Sequence, residues 1–136
     1  MNSDSNTEIV STTYNSISRT AQFLSDIAPN PTSEVLELTF PTTHAEIVKK
    51  FSDFLKANPV SPNKKRVAII DSIVSNPGVC LPWKELVAIC KEEQVWSVID
   101  GAHSIGQEPN IELDKVGPDF WVSVGDSCLA AIYQIF

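Results

Sequence analysis

Residues 95–103 read VWSVIDGAH. The run VWSVI (95–99) is almost continuously apolar and ends in Asp100, with His103 just beyond Gly101 and Ala102. Such a run reads as a strand covered on both faces of a parallel sheet. RVAII (66–70) has the same character and also ends in an aspartate, Asp71. Between them, Trp83 to Glu93 reads as a helix with Leu86, Val87 and Cys90 facing inward, and Pro82 stands where its first turn begins. SNPGVCLP (75–82) reads as the loop before that helix. A strand, a helix and a second buried strand make a crossover unit, which decides the fold class.

The pattern repeats outward. TEIVST (7–12) is a β-branched strand, and residues 16–27 place Ile17, Thr20, Ala21 and Leu24 on one helical face, capped by Asn15 or Ser16. APNPTS (28–33) is a turn, and EVLELTF (34–40) alternates as a strand closed by Pro41. Thr43-His44-Ala45-Glu46 fits a capping box, opening a helix to about Ala57 with Ile47, Phe51, Phe54 and Leu55 as its apolar stripe. NPVSPNKK (58–65) and most of 104–118 read as loop, and DFWVSV (119–124) as a last strand. The order β-α-β-α-β-α-β-loop-β predicts an α/β domain, a mostly parallel sheet with helices on both faces.

Composition narrows the partners. The 136 residues carry a formal net charge of −7, which argues against nucleic acid or an anionic membrane, since both need a basic face. The polar, acidic start MNSDSNTEIV is not a signal peptide, and no apolar run is long enough for a membrane helix. Cys80, Cys90 and Cys128 are odd in number and widely spaced, so neither a disulfide framework nor zinc is expected, and a cytoplasmic setting is.

Parallel strands bring their carboxyl ends to one edge, where ligands of α/β sheets bind. That edge collects Thr12-Thr13-Tyr14, Asp71-Ser72, Val74-Ser75-Asn76, Asp100 and His103. A carboxylate at the end of a buried strand is costly unless paired or hydrated. One natural partner for Asp100 is the protonated ring nitrogen of pyridoxal phosphate (PLP), which an Asp or Glu keeps protonated. On spacing alone, Asp100 is as well explained as a turn-capping aspartate, and Ser75-Asn76-Pro77-Gly78 as a turn. His44 reads as helix surface, the cysteines as small apolar residues and the tryptophans as packing. Asp71, Asp100 and His103 can be drawn as a metal site, a common false positive, and no metal is expected.

The stretch DSIVSNPGVCLPWKELVAICKEEQVWSVIDGAHSIGQEPNIELDKVGPDFWVS, together with STTY (11–14), resembles fold-type-I, class V aminotransferase-like enzymes. The nearest relatives by this likeness are isopenicillin N epimerase-like and cysteine desulfurase-like proteins. The resemblance implies part of the large, PLP-binding domain over residues 7–124, after a polar lead-in (1–6) and before a divergent apolar tail (125–136). It implies Asp100 as partner of the pyridine nitrogen, His103 near the cofactor's phenolic oxygen, and Asn76 near the cofactor or substrate carboxylate, with Ser75 and Thr13 as weaker candidates. It also implies an amino-acid substrate, a homodimer, and epimerisation, C–S lysis or transamination in intact relatives.

The family pattern continues after DFWVS into a His-Lys pair whose lysine holds PLP covalently. Here Asp126 and Ser127 fall at those places, and no Lys or Arg follows Lys115. A Schiff base needs an amine, so this chain is expected to lack a catalytic residue of that kind and to be inactive alone. A truncated gene model, a read-through or a degenerate copy accounts for the change after Ser123, and a sheet cut from a larger fold is expected to be weakly soluble. The alternative is a stand-alone, non-catalytic α/β module that binds a small molecule or a protein.

Overall fold

The apolar run at 66–70 lies at the centre of a sheet. A computed structural model describes residues 5–10, 15–27, 32–59 and 64–123. Along the chain come β1 (Ser5–Val10), α1 (Asn15–Asp26), β2 (Thr32–Leu36), α2 (His44–Ala57), β3 (Lys65–Asp71), β4 (Ile73–Val74) and β5 (Val79–Cys80). Then follow α3 (Trp83–Glu92), β6 (Trp96–Asp100), α4 (Leu113–Val116) and β7 (Phe120–Val122). Five strands form one sheet in the order β2-β1-β3-β6-β7, and every neighbouring pair is parallel. β4 and β5 make a small antiparallel hairpin.

The chain steps outward from β1 to β2, returns across β1 to β3, and continues to β6 and β7. Right-handed crossovers then place α1 on one face and α2 and α3 on the other. The core has this arrangement. Ile47, Phe51 and Leu55 of α2 and Trp83, Leu86, Val87 and Cys90 of α3 cluster with Ala68, Ile70 and Ile99 of the sheet. Each large side chain so buried contributes about 1.5–3 kcal/mol. Ala21 of α1 is buried outside that cluster. The strand order reverses between β1 and β3, so the carboxyl end of β3 is one wall of the crevice where ligands of such sheets bind.

The capping box forms as expected. Thr43 Oγ1 accepts from Glu46 N at 3.2 Å, and Thr43 N donates to Glu46 Oε2 at 2.9 Å. The Thr43 N–H, joined by the hydroxyls of Thr43 and Thr42 on the same Oε2, holds the exposed Glu46 carboxyl below its ordinary range. His44 does more than sit on the helix surface. Its Nε2 donates to the carbonyl of Cys80 at 3.0 Å, tying the start of α2 to the hairpin; that nitrogen carries the proton, because a carbonyl only accepts.

Several expectations are corrected. β1 begins at Ser5, inside the supposed lead-in, and β2 ends at Leu36 rather than Phe40. Residues 75–82 are not plain loop, since 79–80 pair with 73–74. β6 is not covered on both faces: Ser97 and Ile99 are fully buried, whereas Trp96 on the opposite face is 42% exposed and stacks on Phe120 of the edge strand β7. Of the expected stripe on α1, Ala21 is buried and Leu24 is exposed, because among the described residues the helix packs chiefly on β1 and β2 at the sheet margin.

Candidate functional site

Asp71 and Asp100 end adjacent strands and are register partners. Parallel neighbours lie about 5 Å apart and paired positions share a face, so the two carboxyls stand side by side. Asp71 is 3% exposed, and its Oδ1 is buried without a hydrogen-bond partner. Burial first, and the Asp100 charge second, push its carboxyl up to about 7. Asp100 is half-buried, and its Oδ1 accepts from Ala102 N at 3.0 Å. That bond starts the turn carrying His103.

A clasp fixes these strand ends. Ser72 N and Oγ both donate to the Asp100 carbonyl, at 2.9 and 3.1 Å. Ser72 Oγ also meets Ser104 Oγ, and both serines are fully buried. Ser104 N in turn donates to the Gly101 carbonyl at 3.0 Å. Gly101 N donates to Val122 O at 2.7 Å, and Ser123 Oγ donates to Gly101 O at 3.1 Å. Behind the turn, Trp83 Nε1 donates to Glu108 Oε1 at 2.9 Å, and Lys84 pairs with the same carboxylate at 3.7 Å. The turn that follows Asp100 is therefore pinned at both ends.

The structure brings Asp71, Asp100 and the His103 turn together at one edge, and His103 is half-buried there. Ser75 and Asn76 lie exposed on the tip of the β4–β5 hairpin, which starts immediately after Ser72. Among the described residues, no hydrogen bond joins that tip to Asp100 or His103. Thr13, Asp126 and Ser127 lie outside the described residues. Three positions escaped sequence reasoning in their true roles: Ser72 and Ser104 as a clasp, and Asp71 as an orphan. Ser72 could have been suspected from standing beside an aspartate at a strand end. Nothing marks Ser104. Cys80 is no activated thiol, since burial foremost pushes it up.

The family model for aminotransferase class-V matches residues 34–131. The chain belongs to that family. This class-V chain is 36% identical over 114 residues to an L-cysteine desulfhydrase-like protein of Epichloe uncinata, covering 84% of itself and 25% of that protein. It is 37% identical over 112 residues to the L-cysteine desulfhydrase of Arabidopsis thaliana, covering 81% of itself and 24% of the relative. The class-V chain thus spans about a quarter of the length of these relatives.

Solved structures agree in fold. A cystine C–S lyase in complex with cysteine persulfide superposes with a TM-score of 0.71 at 19% identity, over 90% of this chain and 31% of that one. A NifS-like protein from Rickettsia africae gives 0.69 at 18% identity, over 88% and 30%. A serine palmitoyltransferase that holds PLP gives 0.53 at 17% identity, over 74% and 22%. PLP is the cofactor of intact relatives, and amino acids are their substrates.

The described residues fit the ring nitrogen of that cofactor. The second oxygen of Asp100 takes no hydrogen bond from them, and the buried Asp71 Oδ1 lacks a donor. An acceptor-rich strand edge of this kind suits a protonated nitrogen. The residues do not supply the covalent anchor: Lys84 donates to Asn110 O, Lys91 to Val116 O, and Lys115 pairs with Glu112, all away from the strand ends.

Proposed function

We propose that this chain is the ring-binding part of a class-V PLP protein whose intact relatives cleave the C–S bond of a cysteine-like amino acid. The observation that carries the reading is the Asp100 carboxylate, held by the Ser72 clasp at the carboxyl end of a parallel strand with one oxygen left to accept. The names of the relatives, L-cysteine desulfhydrases among them, support C–S lysis over epimerisation or transamination.

PLP, when bound, supplies an electron sink for bonds at the substrate's α-carbon. The work of this chain's residues is to bind and orient. Asp100 would accept the ring N–H and hold that proton in place. The Ser72–Ser104 clasp and the Gly101 bonds hold Asp100 still. His103, in the same turn, would face the cofactor's phenolic oxygen, and Asn76 and Ser75, on the hairpin beyond Ser72, would meet a carboxylate. Among the described residues Lys84, Lys91 and Lys115 are engaged elsewhere, so the chain binds the ring without a covalent bond and turns nothing over alone. The Cys80 thiol, in no disulfide, supports a reducing, cytoplasmic setting, and the exposed Trp96–Phe120 strip supports pairing with a second copy.

The test is a PLP titration of the purified chain, followed by borohydride reduction and mass mapping. Saturable binding that D100N abolishes, with only scattered lysine labelling, is the expected result. Fixation on one lysine would reverse the no-amine reading, and binding indifferent to D100N would reverse the assignment of Asp100.

A further inference from the structure

Asp71 has no role in packing that explains it. Its carboxyl is almost fully buried, one oxygen has no partner, and its register neighbour is another carboxylate. An unpaired buried acceptor beside a like charge is unfavourable, and an apolar residue of the same shape would relieve it. Residues kept in such places are often there for function.

Three features say what the function is. Asp71 ends β3, the strand bordering the switch point of the sheet. It lies beside Asp100, the carboxylate assigned to the ring nitrogen. Asp100 itself takes only the Ala102 amide on one oxygen, so its carboxylate has room for a second donor from the β3 side. Two adjacent carboxyls, one buried and one half-buried, do not both ionise readily, and the buried one keeps a proton. The pair then carries a single negative charge, which matches the single positive charge of a protonated ring.

Resting on the ring-nitrogen reading of Asp100, we propose that Asp71 is a positioning residue that acts as a neutral acid: it donates its O–H to the Asp100 carboxylate. That bond satisfies Asp71's own buried group and aims Asp100 at the ring nitrogen.

The experiment uses the full 136-residue chain and two probes. One is pyridoxamine 5′-phosphate, which has no aldehyde and cannot label surface lysines. The other is its deaza analogue, with CH in place of the ring nitrogen. Calorimetry reads the ratio of the two affinities, and thermal melts control for folding. The unmodified chain is expected to prefer the nitrogen ring about tenfold, the size of one charge-assisted hydrogen bond. D100N removes that preference. D71N keeps it within about twofold, because its amide N–H still donates to Asp100. D71L reduces it below about threefold, with deaza affinity unchanged and the melting temperature not lowered, since the buried carboxyl was unfavourable.

A D71L chain that keeps the preference overturns the inference and leaves the ring reading intact. So does a D71N chain that loses it as fully as D71L, or a D71L chain weakened equally toward both probes. Equal affinity of the unmodified chain for the two probes, or no binding, overturns the ring reading and the inference with it.

Discussion

Trp121 occupies the space that a Cβ on Gly101 would need. From that position Trp121 Nε1 stands 2.9 Å away, and Cζ2 and Cε2 are nearer still. The glycine after Asp100 is thus required by an indole on the next strand, not by an unusual backbone angle. The same indole packs on Trp83 with ring centroids 5.0 Å apart, so it has little room to retreat. Gly101→Ala is expected to destabilise the fold by about 1–3 kcal/mol, the range for overpacking a filled core. Denaturant melts check this. Pairing it with Trp121→Leu should recover part of the loss, since the clash is with the ring.

Asp119 anchors β7 to β6 through one oxygen. Its Oδ2 accepts from Ser97 N at 2.7 Å and Ser97 Oγ at 2.9 Å, and Asp119 N donates back to Ser97 Oγ at 3.0 Å. Ser97 is fully buried, so Asp119→Ala leaves donors without a partner and costs about 1–3 kcal/mol. Asp119→Asn retains an acceptor and costs less. Hydrogen exchange of the β7 amides should rise in the alanine variant and hardly change in the asparagine variant.

These two clasps show where sequence reading reaches and where it stops. The capping box at Thr43–Glu46 is local, four adjacent residues answering one another, and was legible as it stands. The parallel order and the placing of Asp100 at a strand end follow from apolar runs separated by helix-length segments. The β4–β5 hairpin was hidden because two-residue strands carry no periodicity. Leu24 was misplaced because a 3.6 period tells which side of a helix is apolar, not how much sheet lies beneath it. Ser72 meeting Ser104 is a contact across 32 residues that neither residue announces.

That contact makes its own prediction. Ser72 also donates to the Asp100 carbonyl, so Ser72 and Ser104 belong to one network with the site. Neighbours in a hydrogen-bond network couple by about 0.5–3 kcal/mol, whereas independent sites add. A double-mutant cycle of Ser72→Ala and Ser104→Ala should show a coupling in that range, with the double variant less destabilised than the sum of the singles. Additivity would mean that the two hydroxyls are satisfied separately and that the turn after Asp100 is held by its other bonds, those of Ala102, Gly101 and Glu108.

Asp71 makes stability fall as pH rises. Its folded carboxyl is pushed up to about 7 from an ordinary 3.8, by burial first and by Asp100 second. Between those values the native chain holds a proton that the unfolded chain has released. With more protons bound to the native state, stability declines with increasing pH across that window and levels off above it. Glu46 acts in the opposite sense: its lowered carboxyl adds stability above its unfolded value of 4.5, lost as pH falls through the folded one. The two are separated by subtraction. Urea melts from pH 4 to 8 are expected to show the decline in the unmodified chain and its loss in Asp71→Asn. Glu46→Gln should leave the decline in place and flatten only the acid limb. An unmodified chain whose stability does not fall between pH 5 and 7 would mean that Asp71 finds a donor in solution and is ionised throughout.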